Sequence, residues 1–181
     1  MTKIPARAAF AALTMLLIPA SLLARDATQW REYGGSPGQS KYVVTPDITR
    51  KNVSKLAIQW MYPTGDERAY QFNPVIIDGV MYVLAKNSSL VAIDIETRKE
   101  LWIHANLRGI TNRGINYWQS KDGKDRRLLF AMDDLLQAID ARTGKSVTTF
   151  GKDGVVDLRE GLDRDPATIR RVMSGTPGRV F

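Results

Sequence analysis

Between Val75 and Phe150 the sequence breaks into short apolar runs separated by turn residues, and the runs repeat. Ala92-Ile93-Asp94 returns as Ala138-Ile139-Asp140, 46 residues later. None of the runs keeps a helical period over three turns, so the segment reads as β-strands. The first set is Val75-Ile-Ile77, Val80-Met-Tyr-Val-Leu84, Leu90-Val-Ala-Ile93 and Leu101-Trp-Ile103. The second is Ile115-Asn-Tyr-Trp118, Arg127-Leu-Leu-Phe-Ala131, Leu135-Leu-Gln-Ala-Ile139 and Val147-Thr-Thr-Phe150. Four strands recurring about every 40–50 residues are the signature of propeller blades rather than of a sandwich with unrelated strands. The expected fold is therefore all-β, an incomplete β-propeller of four-stranded antiparallel blades, with repeat units at about 73–104 and 115–150.

A blade buries both faces against its neighbours, which explains why the inner strands are nearly continuous apolar runs rather than alternating ones. Asp78-Gly79, between the first two strands, is a strong signal for a two-residue hairpin because both turn positions favour positive φ. Lys86-Asn-Ser-Ser89 and Glu96-Thr-Arg-Lys99 supply the next two turns. Trp30 to Pro46, with Tyr33-Gly-Gly-Ser-Pro-Gly38, reads as a surface loop, and Val53 to Trp60 as a short turn running into an outer strand. Asp157-Leu-Arg-Glu-Gly-Leu-Asp-Arg-Asp-Pro166 is a charged connector with a single helical turn expected after Pro166. Its acids are matched by Arg159 and Arg164, so a solvated linker is favoured over a calcium loop. Two units cannot close a ring, and the chain reaches Phe181 at what reads as the entry to another strand. A fragment of a longer propeller is the expectation.

Residues 1–24 are set apart. Lys3 and Arg7 precede an apolar run from Ala8 to Leu23 that is broken by Thr14, Pro19 and Ser21, shorter than the ~20 residues that span a membrane. This is the pattern of a secretory signal peptide with cleavage near Ala24; a retained signal anchor is the alternative. The formal net charge of +7 is spread along the chain and interleaved with acids, as in Lys121-Asp-Gly-Lys-Asp-Arg-Arg127. No continuous basic stripe forms, which argues against nucleic acid as a partner. The chain has no cysteine, which removes disulfides, thiolate metal sites and a cysteine nucleophile together. His104 is the sole histidine and cannot build a zinc site by itself; it reads as a packed or surface residue rather than a ligand.

Ala92-x-Asp94-x-x-Thr97-x-x-x-x-Trp102 follows the Ala-x-Asp-x-x-Thr-Gly-x-x-x-Trp docking motif of pyrroloquinoline quinone (PQQ) type propellers, with Arg98 at the glycine. The second copy, Ala138-x-Asp140-x-x-Thr143-Gly144, keeps the glycine and has Thr148 at the tryptophan. Such Asp and Thr side chains satisfy turn amides. Trp30-x-x-Tyr33-Gly34-Gly35, Asn52-Val53-x-x-Leu56-x-x-x-Trp60 and Thr64-Gly65-Asp66 extend the similarity. The most informative stretch, Asn112-Arg113-Gly114-Ile115-Asn116-Tyr117-Trp118, is similar to the Asn-Arg-Gly-x-x-Tyr-Trp element of quinoprotein alcohol dehydrogenases. The chain thus resembles the N-terminal part of the PQQ-dependent alcohol and glucose dehydrogenases, whose propellers have eight blades.

The resemblance implies an oxidoreductase passing a hydride from an alcohol or aldose sugar to PQQ, and electrons onward to a cytochrome c or a membrane quinone. It places the protein in the periplasm, in solution or at the membrane. Arg113 would contact the cofactor, because PQQ presents three carboxylates and adjacent quinone oxygens that a guanidinium fork matches. Gln71 and Ser174, aligned through the prolines that follow them, are the further cofactor-binding candidates. Calcium is implied as Lewis acid, with its ligands and the proton-accepting aspartate expected outside this chain. No catalytic or metal-binding residue is assigned within it. The adjacent cysteine pair of methanol-oxidising members is missing, which leaves the substrate open. A non-enzymatic propeller scaffold of the outer-membrane assembly type is the alternative; the Asn-Arg-Gly-x-x-Tyr-Trp element separates the two.

Overall fold

The computed structural model describes residues 29–67 and 69–180. The expected signal peptide at 1–24 lies outside the described residues. Two four-stranded antiparallel sheets form, each in simple sequence order. The first contains β1 (Val75–Ile77), β2 (Val80–Ala85), β3 (Ser89–Asp94) and β4 (Glu100–His104); the second contains β5 (Asn116–Gln119), β6 (Arg126–Met132), β7 (Leu135–Asp140) and β8 (Val155–Asp157).

Local chemistry fixes the turns. Asp78 and Gly79 both take positive φ, 49° and 81°, as the β1–β2 hairpin requires. Asp78 is then held by Arg126 at 3.0 Å, so the first hairpin is pinned to the second sheet. After β3, Asp94 Oδ1 accepts from the Thr97 amide and hydroxyl at 2.6 and 2.8 Å. After β7, Asp140 Oδ1 accepts from the Thr143 amide and hydroxyl at 2.8 and 2.9 Å. The threonine hydroxyls donate to the carboxylates here, and these bonds from Thr97 hold the Asp94 carboxyl below its usual range. Residue five of each turn is left-handed, Arg98 at φ 61° and Gly144 at φ 69°.

The sheets stack face to face. Tyr82, Leu84, Leu90 and Ala92 of the first pack with Leu128, Phe130 and Ile139 of the second in one core, with Leu107 and Ile110 of the connection between them. β3 is buried on both faces, which accounts for its unbroken apolar run. Three side chains of the first sheet reach a single turn of the second: Tyr82 Oη and Trp102 Nε1 donate to the Ala141 carbonyl at 3.2 and 3.1 Å, and His104 Nδ1 donates to the Gly144 carbonyl at 2.7 Å. Burial raises the Tyr82 phenol well above its ordinary value. The indole of Trp102 lies so close over Gly144 that a Cβ there would stand 2.6 Å from it. Of the two settings open to His104, packed or surface, the structure shows the first: it lies between that turn and the Phe130 ring.

Two expectations need correction. Val147–Phe150 is not the outer strand of the second sheet. Ser146 bridges Ile139 and the Val147 amide reaches the Ala138 carbonyl, but the chain then leaves the sheet and the pairing strand is Val155–Asp157, opposite Leu135–Gln137. The excursion is made by Gly151 at φ 58°, Asp153 at φ 53° and Gly154 at φ 95°, turn chemistry that overrides the strand propensity of Val147-Thr-Thr-Phe150. The repeat unit accordingly extends to Asp157 rather than to about 150. Second, Val53–Lys55 is a single 3₁₀ turn as expected, but residues 56–62 run on without joining a sheet. Trp60 and Tyr62 instead lie across Ala85, Val91 and Ile93 on the outer face of the first sheet. The turn after Pro166 is present as Pro166–Thr168, with Asp165 accepting from the Ala167 amide at 2.9 Å.

Candidate functional site

The leading segment reaches the innermost edge of the first sheet through Trp30, which exchanges two backbone hydrogen bonds of 2.9 Å with Ile76 of β1. Tyr33 is thereby brought to the start of β1. There Asn73 ties three segments together: its amide donates to the Arg113 carbonyl at 3.0 Å, and its Nδ2 donates to the Tyr33 carbonyl at 3.0 Å. Asn73-Pro74 is a turn signal in the sequence. Nothing local in it announces a clamp across 40 residues, and sequence reasoning missed it.

Gly114 marks the point of convergence. A Cβ at this position would lie 3.2 Å from the Tyr33 ring, 3.4 Å from Pro177 and 3.6 Å from the Asn73 carbonyl. The backbones that carry Gln71, Arg113 and Ser174 therefore meet at one end of the two sheets, where their first strands begin. Next to this point, Asn116, Ser174, Thr176, Pro177 and Gly178 help line a cavity of about 260 Å³.

The three candidate side chains differ in what they have left to offer. Arg113 is exposed, and no hydrogen bond or ion pair with another described residue engages its guanidinium. Other arginines contrast with it: Arg126 holds Asp78, Arg127 holds Asp125 while lying over the Trp118 ring at 5.3 Å, and Arg159 holds Asp157 at 2.7 Å. Gln71 is likewise exposed, with its amide unengaged by the described residues. Ser174 donates its hydroxyl to the Thr176 carbonyl, a local turn contact. The structure brings the three segments together and does not join their side chains to one another. Among the described residues no group of three or more histidine or acidic side chains is arranged to hold a metal ion.

Gly114, buried under Tyr33, Pro177 and Asn73, lets these segments pack closely beside it. A guanidinium that no described residue engages can receive a planar, multiply anionic ligand, to which it offers paired N–H donors. An Asp or Glu close to Arg113 would cancel this, and none pairs with it among the described residues.

The family model "PQQ: Glucose/ethanol/alcohol dehydrogenase, beta-propeller domain" matches residues 30–181. The dehydrogenase subunit of alcohol dehydrogenase (quinone) from Gluconobacter oxydans is 34% identical over 169 residues, covering 84% of this chain and 22% of the relative. The 1-butanol dehydrogenase (cytochrome c) of Thauera butanivorans is 32% identical over 129 residues, covering 66% of this chain and 18% of the relative. Among solved structures, the quinohemoprotein alcohol dehydrogenase from Comamonas testosteroni superposes with a TM-score of 0.60 at 25% identity, over 80% of this chain and 22% of that one. The chain thus spans about a fifth of the length of the curated relatives it matches.

Proposed function

Since this chain belongs to the PQQ glucose/ethanol/alcohol dehydrogenase family of β-propellers, we propose that it supplies two sheets and a cofactor-facing arginine, Arg113, to a periplasmic enzyme that oxidises alcohols or aldose sugars. The single observation that carries the reading is that the backbone of Arg113 lies where the segments around Tyr33, Asn73 and Pro177 meet, while its exposed guanidinium is engaged by none of the described residues. When bound, PQQ would supply the hydride-accepting quinone.

The chain's own contribution is binding and orientation. Arg113 would donate a forked pair of N–H groups to a carboxylate or quinone oxygen pair, and its fixed charge would stabilise negative charge arising there. Gln71 would add amide donors from the β1 side. Ser174, whose hydroxyl proton is committed to Thr176, is left with acceptor capacity and is the weakest of the three for an anionic ligand. Calcium, implied by the family resemblance, would take its ligands from further sheets, as would the proton acceptor of the reaction. The relatives' names give cytochrome c and quinone as electron acceptors, and either fits this reading. Periplasmic export rests on the pattern of residues 1–24. With two sheets and part of a pocket, this chain alone has no dehydrogenase turnover in our reading.

The test is Arg113→Ala in a version carrying the remaining sheets. PQQ affinity, followed by quenching of tryptophan emission, and turnover should each fall at least about tenfold, equivalent to ~1.4 kcal/mol. Unchanged binding and unchanged turnover would discard the assignment.

A further inference from the structure

The Thr64-Gly65-Asp66 element lies against the turn that joins β2 to β3. Ala85 pairs with Ser89, so the loop has three residues, and all three are left-handed: Lys86 at φ 46°, Asn87 at 56° and Ser88 at 63°. None is glycine. A three-residue hairpin loop ordinarily needs only its last residue in that region, and non-glycine residues stay there only when their surroundings hold them.

What holds them is the segment in front of β1. The three amides of the turn all donate to it: Lys86 to the Thr64 carbonyl at 3.0 Å, Asn87 to Asp66 Oδ2 at 2.9 Å and Ser88 to Tyr70 Oη at 3.5 Å. Successive amides of a turn form a concave donor surface suited to an anion, and the Asp66 carboxylate occupies it. Tyr70 Oη closes the arrangement by donating to the same Oδ2 at 2.8 Å. Gly65 is itself left-handed, at φ 78°, with open space where a Cβ would stand, so it serves through its backbone conformation. Thr64 thus gives a carbonyl, Gly65 a bend and Asp66 a carboxylate to one lock.

The lock bears on Gln71. Tyr70 and Phe72 pack onto the core of the two sheets, and Gln71 between them is exposed. On one side, Tyr70 is tied through Asp66 to the 86–88 turn; on the other, the Asn73 amide is bonded to the Arg113 carbonyl at 3.0 Å. Residue 71 therefore sits on a short span of backbone fixed at both ends, and Asp66 fixes one of them. A separate tie, Tyr62 Oη and Lys86 Nζ on Glu100 at 2.8 and 2.6 Å, holds the earlier part of the segment to the same turn without Asp66.

We propose that Asp66 is a positioning residue for the cofactor site. By occupying the left-handed turn and holding the Tyr70 hydroxyl, it fixes the backbone from which Gln71 meets a planar anionic cofactor. The inference rests on the reading of Gln71 as a cofactor-binding residue, and gives Asp66 no contact with the cofactor itself.

Two substitutions separate the lock from general stability. Asp66→Ala removes both bonds at Oδ2, whereas Asp66→Asn keeps an oxygen that can accept them. In the chain itself, amide exchange of Asn87 should be at least about tenfold faster in Asp66→Ala and near wild type in Asp66→Asn. Exchange as slow in Asp66→Ala as in wild type overturns the lock. In a version carrying the remaining sheets, PQQ affinity, read by quenching of tryptophan emission, should fall roughly three- to tenfold in Asp66→Ala, the scale of one lost hydrogen bond, and recover in Asp66→Asn. Gln71→Ala should weaken binding as well, and adding Asp66→Ala to it should weaken binding no further, because the two act through one side chain. A loss from Asp66→Ala that persists undiminished in the Gln71→Ala background marks Asp66 as merely structural and overturns the proposal. So does unchanged affinity in Asp66→Ala beside a weakened Gln71→Ala, a result that leaves the cofactor role of Gln71 standing. If Gln71→Ala itself binds PQQ as wild type does, the reading of Gln71 fails and the proposal falls with it.

Discussion

Replacing Gly144 by alanine separates two costs that the joint between the sheets combines. At φ 69° a residue with a Cβ is disfavoured by about 1 kcal/mol. The added methyl would also stand 2.6 Å from Trp102 Cε3 and 2.7 Å from Cδ2, well inside contact distance. The indole cannot withdraw freely, because its Nε1 is bonded to the Ala141 carbonyl at 3.1 Å. Overpacking of this kind costs ~1–3 kcal/mol, so Gly144→Ala should destabilise the chain by about 2–4 kcal/mol in all. Arg98 is the control: it has the same backbone conformation, φ 61°, at the equivalent position of the first sheet, and is exposed. Arg98→Gly should therefore be neutral or stabilising by up to ~1 kcal/mol. Urea unfolding followed by tryptophan emission gives both values. Trp102→Ala combined with Gly144→Ala should recover part of the loss, a coupling on the order of 1–2 kcal/mol between residues in contact. A Gly144→Ala chain within about 0.5 kcal/mol of wild type, or strict additivity with Trp102→Ala, would refute the close contact as the source of the effect.

Acid should weaken the fold in a defined window. The Arg159 guanidinium holds the Asp157 carboxyl at about 2, and the Thr97 and Arg127 donors hold Asp94 and Asp125 below their usual range. Each folded value lies below the unfolded one, so the folded chain binds fewer protons. The stabilisation is complete above about pH 5, declines below the unfolded value near 4 and is exhausted below the folded values; a urea midpoint unchanged between pH 5 and 2.5 would contradict this, and Asp157→Asn should flatten part of the decline. Asn73→Ala removes the bond to the Tyr33 carbonyl and leaves the backbone bond to Arg113, a loss of about 0.5–1.5 kcal/mol. Amide exchange of residue 73 should accelerate with it, and exchange as slow as in wild type would show that the clamp does not depend on the side chain.

The sheets were legible because their causes are local. Asp78-Gly79 sets the hairpin through its own φ preferences, and Asp94 and Asp140 bond to threonines three residues on, so a reader of the sequence has every participant in view. The Val147–Phe150 segment misled for the same reason. Its β-branched residues favour a strand, but Gly151, Asp153 and Gly154 supply a turn that lets Val155–Asp157 take the place opposite β7 instead. Residues 56–62 have strand composition and no neighbour to pair with, a fact that exists only in three dimensions. In the candidate site the motif around Arg113 was visible, whereas the convergence of Tyr33, Asn73, Gly114 and Pro177 joins positions far apart in sequence and has no local signal. Ser174 shows the converse: a plausible residue type whose hydroxyl turned out to be spent on its own turn.

Among the described residues, the strands of each sheet pair in sequence order, and that constrains the order in which they can fold. Each ladder joins strands adjacent in sequence, the longest connection being the excursion between Asp140 and Val155, so each meander can form early and largely by itself. The contacts that weld the meanders, from Trp102 and His104 to the turn at 141–144, span 39 and 40 residues and require both to be present. Folding is therefore modular and directional: a finished unit becomes the template on which the next condenses. A chain built this way can gain or lose units at its ends in evolution without rewriting the ones already made.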